Sequence, residues 1–230
     1  MLVLGIDAST RSLAVGLWND KGLVGEMSGV AHLPHSERLL VHIMALLETS
    51  GRNLDELEGI GAVVGPGSYT GLRIGIGTAQ GLAESRHLPT VGLSSLELLA
   101  YSAACAGQLV CPLIVARKGY VYAAVYEMRE TGPVALQAPV VCQPEEVVRW
   151  IDRPVVFAGG GFVTHRDFFH AVLNERIIEA GKPSHSPSGR VVAYFAHRDL
   201  SAGKGCDPTV LQPEYLGPST AEINWKQRQS

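Results

Sequence analysis

Short apolar runs separated by turn-forming clusters open the chain. Residues 2–6 and 13–18, then 23–27 after the turn Asn19-Asp20-Lys21-Gly22, predict a meander of three antiparallel strands. The period then changes. Residues 36–50 read as a helix stopped by Gly51, and residues 53–58 as a helical turn with Glu56 placed for a capping box. An apolar strand at 60–64 runs through a glycine-rich turn into a helix at 70–85, and residues 89–92 form a short fifth strand.

The two helices carry more apolar surface than one sheet can cover. At about 100° per residue, Gly71, Ile74, Gly75, Thr78 and Leu82 fall on one face of the second, and Leu72, Ile76, Ala79 and Ala83 on another. In the first, His42 and Glu48 are the clearly polar positions of a run that is otherwise Leu39-Leu40-Val41-Ile43-Met44-Ala45-Leu46-Leu47. Gly75, Gly77 and Gly81 each cost roughly 0.5–1 kcal/mol relative to alanine in a helix interior, so something must offset them. Two accounts stand: both helices are buried within one domain, or one face packs on the sheet and the other on a second protein chain. The second makes Leu39, Leu40, Ile43, Met44, Leu47, Ile74, Gly75, Thr78 and Leu82 the interface candidates.

Past a helix at 94–106, residues 109–115, 121–126 and 134–141 read as strands, 144–150 as a helix and 155–158 as a strand. Residues 166–179 and 190–202 read as helices around a loop, and the polar, proline-bearing tail is expected to be disordered beyond Ala221. The expected division is a lobe at 1–101, a smaller lobe at 102–205 whose last helix can pack back on the first, and a tail at 206–230. No repeat is visible in the sequence. With 230 residues, 46% of them hydrophobic, the chain has material for a substantial core, and a formal charge of −3 lacks the basic excess of a protein that grips nucleic acid unaided. The strand at the N-terminus leaves no room for an export signal, no membrane span appears, and Cys105, Cys111, Cys142 and Cys206 lack C-x-x-C spacing. A cytoplasmic protein with reduced thiols is expected.

Candidate chemistry gathers on two loops. Asp7, Ser9 and Thr10 end the first strand, where an acid and two hydroxyls suit a metal-bound phosphate, although the same residues are ordinary turn formers. Gly65, Gly67, Ser68, Thr70, Gly71 and Arg73 lie at a helix N-terminus, which collects unpaired N–H groups and the positive end of the dipole. Phosphoryl transfer also needs Mg²⁺ and a carboxylate to orient the nucleophile, yet the stretch 115–120 of the second half carries no acid. A complete kinase site is absent. His32 and His35 are too few for a metal, His165 and His170 suit solvated or capping roles, and Ser68 lacks the G-x-S-x-G of a hydrolase elbow.

The order β-β-β-α-β-α-β is that of a ribonuclease H-like domain, the unit duplicated in actin, sugar kinases and Hsp70, so an α/β, actin-like (ASKHA), two-lobed fold with mixed sheets is expected. Gly5-Ile6-Asp7-Ala8-Ser9-Thr10, His35-Ser36-Glu37-Arg38-Leu39-Leu40, and Gly65-Pro66-Gly67-Ser68-Tyr69-Thr70-Gly71-Leu72-Arg73-Ile74-Gly75 with Ala79-Gln80-Gly81 resemble the TsaB (YeaZ) family of bacterial threonylcarbamoyladenosine synthesis. Looser matches follow. Arg117-Lys118-Gly119-Tyr120-Val121-Tyr122 resembles the family's arginine-containing hairpin, with Val115 where an aspartate is common, and Pro213-Glu214-Tyr215-Leu216 resembles its C-terminal signature. The resemblance implies an inactive paralogue of TsaD, the metalloenzyme that transfers threonylcarbamoyl to the tRNA adenosine beside the anticodon. It implies pairing with TsaD through the two apolar helices, recruitment of the ATPase TsaE, and tRNA met through the complex; the apolar surface of those helices is itself expected to be a self-complementary patch that makes a homodimer when the chain is alone. It further implies no metal or cofactor of its own, the metal residing on TsaD; whether a nucleotide binds at a subunit interface stays open in the sequence. The alternative is a nucleotide-dependent phosphotransferase using the Asp7 and Gly65–Gly75 loops.

Overall fold

The apolar and turn pattern of the first residues resolves into β1 (Val3–Asp7), β2 (Ser12–Asn19) and β3 (Gly22–Val30), paired antiparallel. The structure is a computed structural model that describes residues 1–30 and 34–217. β4 (Gly59–Gly65) and β5 (Thr90–Ser94) add in parallel, giving the sheet order β3-β2-β1-β4-β5. On one face lie α1 (His35–Thr49) and α2 (Tyr69–Glu84). α1 turns Leu39, Ile43, Leu46 and Leu47 onto Leu4, Leu13, Val15 and Leu17 of the sheet, each full burial contributing roughly 1.5–3 kcal/mol. Between α1 and β4, the Asn53 side chain accepts from Asp55 N and Glu56 Oε1 accepts from Asn53 N, so the expected capping box closes the turn.

The second half builds the same pattern again. α3 (Ser95–Ala103) leads to β6 (Leu109–Arg117), β7 (Tyr120–Arg129) and β8 (Gly132–Cys142), an antiparallel meander like the first. α4 (Pro144–Val148), β9 (Val155–Ala158), α5 (Gly160–Thr164), α6 (Arg166–Leu173), β10 (Ile177–Glu179) and α7 (Gly189–Ser201) complete it. Its sheet order, β8-β7-β6-β9-β10, reproduces that of the first sheet strand for strand, with β9 parallel to β6 and β10 parallel to β9. The duplication lies in topology, which explains why no repeat shows in the sequence. One expected element is corrected: residues 166–179 are not a single helix. Asn174 takes a positive φ (48°) with ψ −116°, which ends α6, and Ile177–Glu179 pairs beside β9.

The last helix of each half crosses to the other sheet. α3 sets Leu96, Leu99 and Ala100 against Val110, Ile114, Ala124 and Val156 of the second sheet, while α7 sets Val192, Phe195 and Ala196 against Val3, Val63, Val91 and Leu93 of the first. Glycines in the strands make room for α7. A Cβ on Gly5 would lie 2.5 Å from Ala193 N, and one on Gly16 would overlap Gly189 O. After α7 the chain returns along the first sheet: Thr90 and Cys206 exchange backbone hydrogen bonds of 2.9 and 2.8 Å. The Gln80 amide then donates to Pro208 O and Leu211 O, and Glu214 N donates to Val64 O at 2.8 Å. The expectation of disorder beyond Ala221 lies outside the described residues.

Candidate functional site

Between the two sheets opens a cleft of about 1700 Å³, walled by the β1–β2 turn and the start of α2 on one side and by the β6–β7 hairpin on the other. The sequence-predicted loops do meet there. Ser9 O accepts from Ser68 N at 2.7 Å, locking the β1–β2 turn to the Gly65 loop, and Ser68 Oγ caps α2 by accepting from Gly71 N at 3.2 Å. A Cβ on Gly67 would overlap Ser9 O and one on Gly71 would overlap Ala8 O, so both glycines serve the contact between these loops. Asp7 lies beneath the cleft. Its Oδ1 accepts from Ser9 N (2.8 Å) and Ser9 Oγ (2.6 Å), and burial pushes its carboxyl above the usual range against those hydrogen bonds. Thr10 Oγ1 is likewise engaged locally, with Ser12 O. These side chains close a turn.

Arg73 was named with that loop, and the structure shows what holds it. Its guanidinium lies 4.0 Å from the centroid of Tyr69, and its Nε donates to Tyr215 Oη at 3.0 Å, with Tyr69 and Tyr215 stacked 4.9 Å apart. Tyr69 and Arg73 are four apart on one helix, a pairing visible in sequence; Tyr215 comes from the far end of the chain and is not. Across the cleft, Arg117 rests 3.9 Å over Tyr120. His185 also lines the cleft, its imidazole held below the ordinary range by burial and by Arg166. His35 Nε2 donates to Thr10 O at 2.7 Å, a structural role, while His32 lies outside the described residues. His170 pairs with Glu179 at 2.6 Å. Among the described residues no three His, Cys, Asp or Glu side chains gather where they could hold a metal ion.

The expected interface residues divide. Leu39, Ile43 and Leu47 belong to the core of the first sheet, and Gly75 is buried with Ala8 Cβ 3.4 Å from where its own would be. That is a correction: these four have no free surface to offer. Leu40 and Met44 remain 50% and 46% exposed, joined by Val41 at 63%, which the list of candidates omitted. Ile74, Thr78 and Leu82 are half-buried along α2. Gly77 and Gly81, on the outer face with Ile74 and Thr78, have nothing within 4 Å of an added Cβ.

Against known proteins, the chain is 30% identical to the tRNA threonylcarbamoyladenosine biosynthesis protein TsaB of Bacillus subtilis over 232 aligned residues, covering 100% of both. The chain belongs to the TsaB family. A second TsaB, of Escherichia coli, is 40% identical over 134 residues, 57% of this chain and 58% of that one. The family model described as TsaD, tRNA N6-adenosine threonylcarbamoyltransferase, matches residues 21–225, so this TsaB-family chain carries that broader domain as well. The structure described as YeaZ from Pseudomonas aeruginosa matches with a TM-score of 0.78 at 26% identity, over 94% of this chain and 99% of that one. An activator of 2-hydroxyisocaproyl-CoA dehydratase from Clostridium difficile shares the fold alone, at a TM-score of 0.54 and 11% identity over 89% of this chain and 97% of that one. The duplicated sheet topology and these neighbours bear out the actin-like architecture.

Proposed function

We propose that this chain is the non-catalytic scaffold and activator subunit of the complex that transfers a threonylcarbamoyl group to the tRNA adenosine next to the anticodon, acting as a dimerisation partner of the metalloenzyme TsaD. Family membership supports the pathway. The observation that carries the pairing is the outer face of α1 and α2, where Leu40, Val41 and Met44 stand exposed beside two helical glycines that no internal contact requires. Glycine there lets another backbone approach closely, which offsets its helix penalty. In this proposal the chain pairs with itself when alone, TsaE and tRNA are met through the assembly, and the setting is the cytoplasm. The metal sits on TsaD, this subunit brings no catalytic cofactor, and a nucleotide is accommodated at the subunit interface. The phosphotransferase alternative loses support because Asp7 is buried and engaged by Ser9.

Co-purification and reconstituted modification test it. Leu40→Glu puts a carboxylate on a half-exposed position, so the monomer should keep its circular dichroism and melting temperature. Desolvating that charge in an interface should weaken pairing with TsaD by orders of magnitude and abolish modification with it. Unchanged pairing by folded Leu40→Glu refutes the assignment.

A further inference from the structure

We propose that residues 204–217 form a latch that holds the two sheets at a fixed angle, with the stack of Tyr69, Arg73 and Tyr215 as its point of release. This goes beyond the pairing proposed above and rests on a different segment. The backbone passes from the first sheet to the second through α3 and returns just before α7, so both connections run through the exchanged helices, whose packing is apolar. Apolar packing is non-directional, and packed helices slide past one another by small amounts, which leaves the sheets free to rock. A further tie away from those helices removes that freedom.

The segment after α7 supplies it. Along the first sheet it is fastened by the Thr90–Cys206 backbone exchange, by the Gln80 amide on Pro208 O and Leu211 O, by the buried Leu211, and by Glu214 N donating to Val64 O. Gly65 makes room for it: its φ of 151° favours glycine, and a Cβ there would overlap Glu214 O. The far end meets the second sheet. A Cβ on Gly217 would lie 2.9 Å from Val141 Cγ1 of β8, and Glu214 stands close enough to Tyr126 of β7 to join burial and Glu97 in pushing that phenol above its ordinary range. Residues 214–217 therefore run from Val64 on one sheet to Val141 on the other, with Tyr215 and Gly217 lining the cleft as they pass. Four residues reach at most roughly 13–14 Å when fully extended, so the sheets cannot part there while both ends are held. The fastenings differ in strength. Upstream they are backbone hydrogen bonds and a buried side chain, whereas Tyr215 stacks on Tyr69 and accepts from Arg73 Nε with both rings 43% exposed. Segments open first where contacts are exposed, so a group that takes Tyr215 or Arg73 frees 214–217 and leaves 206–211 in place.

Residual dipolar couplings of the full chain test this, because the amides of two sheets report one alignment tensor when they move as one body and two when they do not. The comparison is internal, so it holds for a monomer or a dimer alike. The parent chain should fit a single tensor, and Tyr215→Ala should need two. In the same variant the Glu214 amide, which donates to Val64 O, should exchange about 2- to 12-fold faster, the loss expected for one aromatic pair, while the Cys206 amide on Thr90 O keeps its protection. Melting curves confirm that the variant folds. Tyr69→Ala removes the stack from the other side and keeps the test open if Tyr215→Ala disturbs folding. Two tensors in the parent chain, or a single tensor in folded Tyr215→Ala and Tyr69→Ala chains, overturns the latch. Equal acceleration at Cys206 overturns the stack as its point of release.

Discussion

Replacing Gly77 and Gly81 together by alanine separates what α2 needs to fold from what it needs to pair. Neither glycine has a positive φ, and nothing lies within 4 Å of the methyl groups to be added. The isolated chain should therefore gain the full helix preference of alanine, roughly 0.5–1 kcal/mol per site. For a chain of 150–250 residues that is roughly 2–8 °C in melting temperature for the pair of substitutions. Circular dichroism melts must be taken at a concentration where light scattering reports monomer, because association would raise the melting point by mass action. Pairing should move the opposite way. Two methyl groups set into a close helix–helix contact cost about 1–3 kcal/mol by overpacking, a loss of affinity of about 5- to 150-fold. Lower stability of the monomer would show that an internal contact requires these glycines; higher stability with unchanged pairing would show that another surface mediates it.

The strand glycines should behave in the opposite sense: Gly16→Ala drives a methyl into Gly189 O, so the same melts should show a loss of about 1–3 kcal/mol or more, and a neutral result would contradict the packing of α7 on β2. Asp7→Asn keeps an Oδ1 acceptor for Ser9 and removes a buried charge. Because burial raises the Asp7 pKa in the folded state, the folded chain holds that proton more tightly than the unfolded chain. Its contribution therefore declines as pH rises from the ordinary aspartate range through the raised value. Asp7→Asn should flatten that part of the stability–pH curve and melt no lower than the parent chain at pH 7; a clear loss of stability there would refute the argument.

Much of the architecture was legible because turn chemistry and hydrophobic period agree along the first sheet, from the Asn53 capping box to the strand–glycine–helix junction at Gly65. Agreement failed where one period ran on past a local break. Phe169, Leu173 and Ile177 continue a helical stripe, and the positive φ of Asn174 ends it. Amphipathic analysis of α1 identified apolar residues all round but could not tell Leu39, which packs on the sheet, from Leu40, which faces outward. The side is set by the strand it meets. Neither the Arg73–Tyr215 contact across 142 residues nor the exchange of α3 and α7 between sheets leaves a local trace in the chain.

That exchange sets an order on synthesis. The first sheet is complete in sequence at Ser94, but the helix that covers its second face begins at Gly189. About 95 residues separate Ser94 from that helix, a delay of roughly 5–20 s at ribosomal rates of about 5–20 residues per second. Throughout it Val3, Val63 and Val91 await the helix that buries them. Contacts that span so much chain also slow folding once the polypeptide is free. The nascent first sheet thus keeps an apolar face uncovered until α7 emerges, and a ribosome stalled before Gly189 would leave the strand glycines that receive α7 facing water.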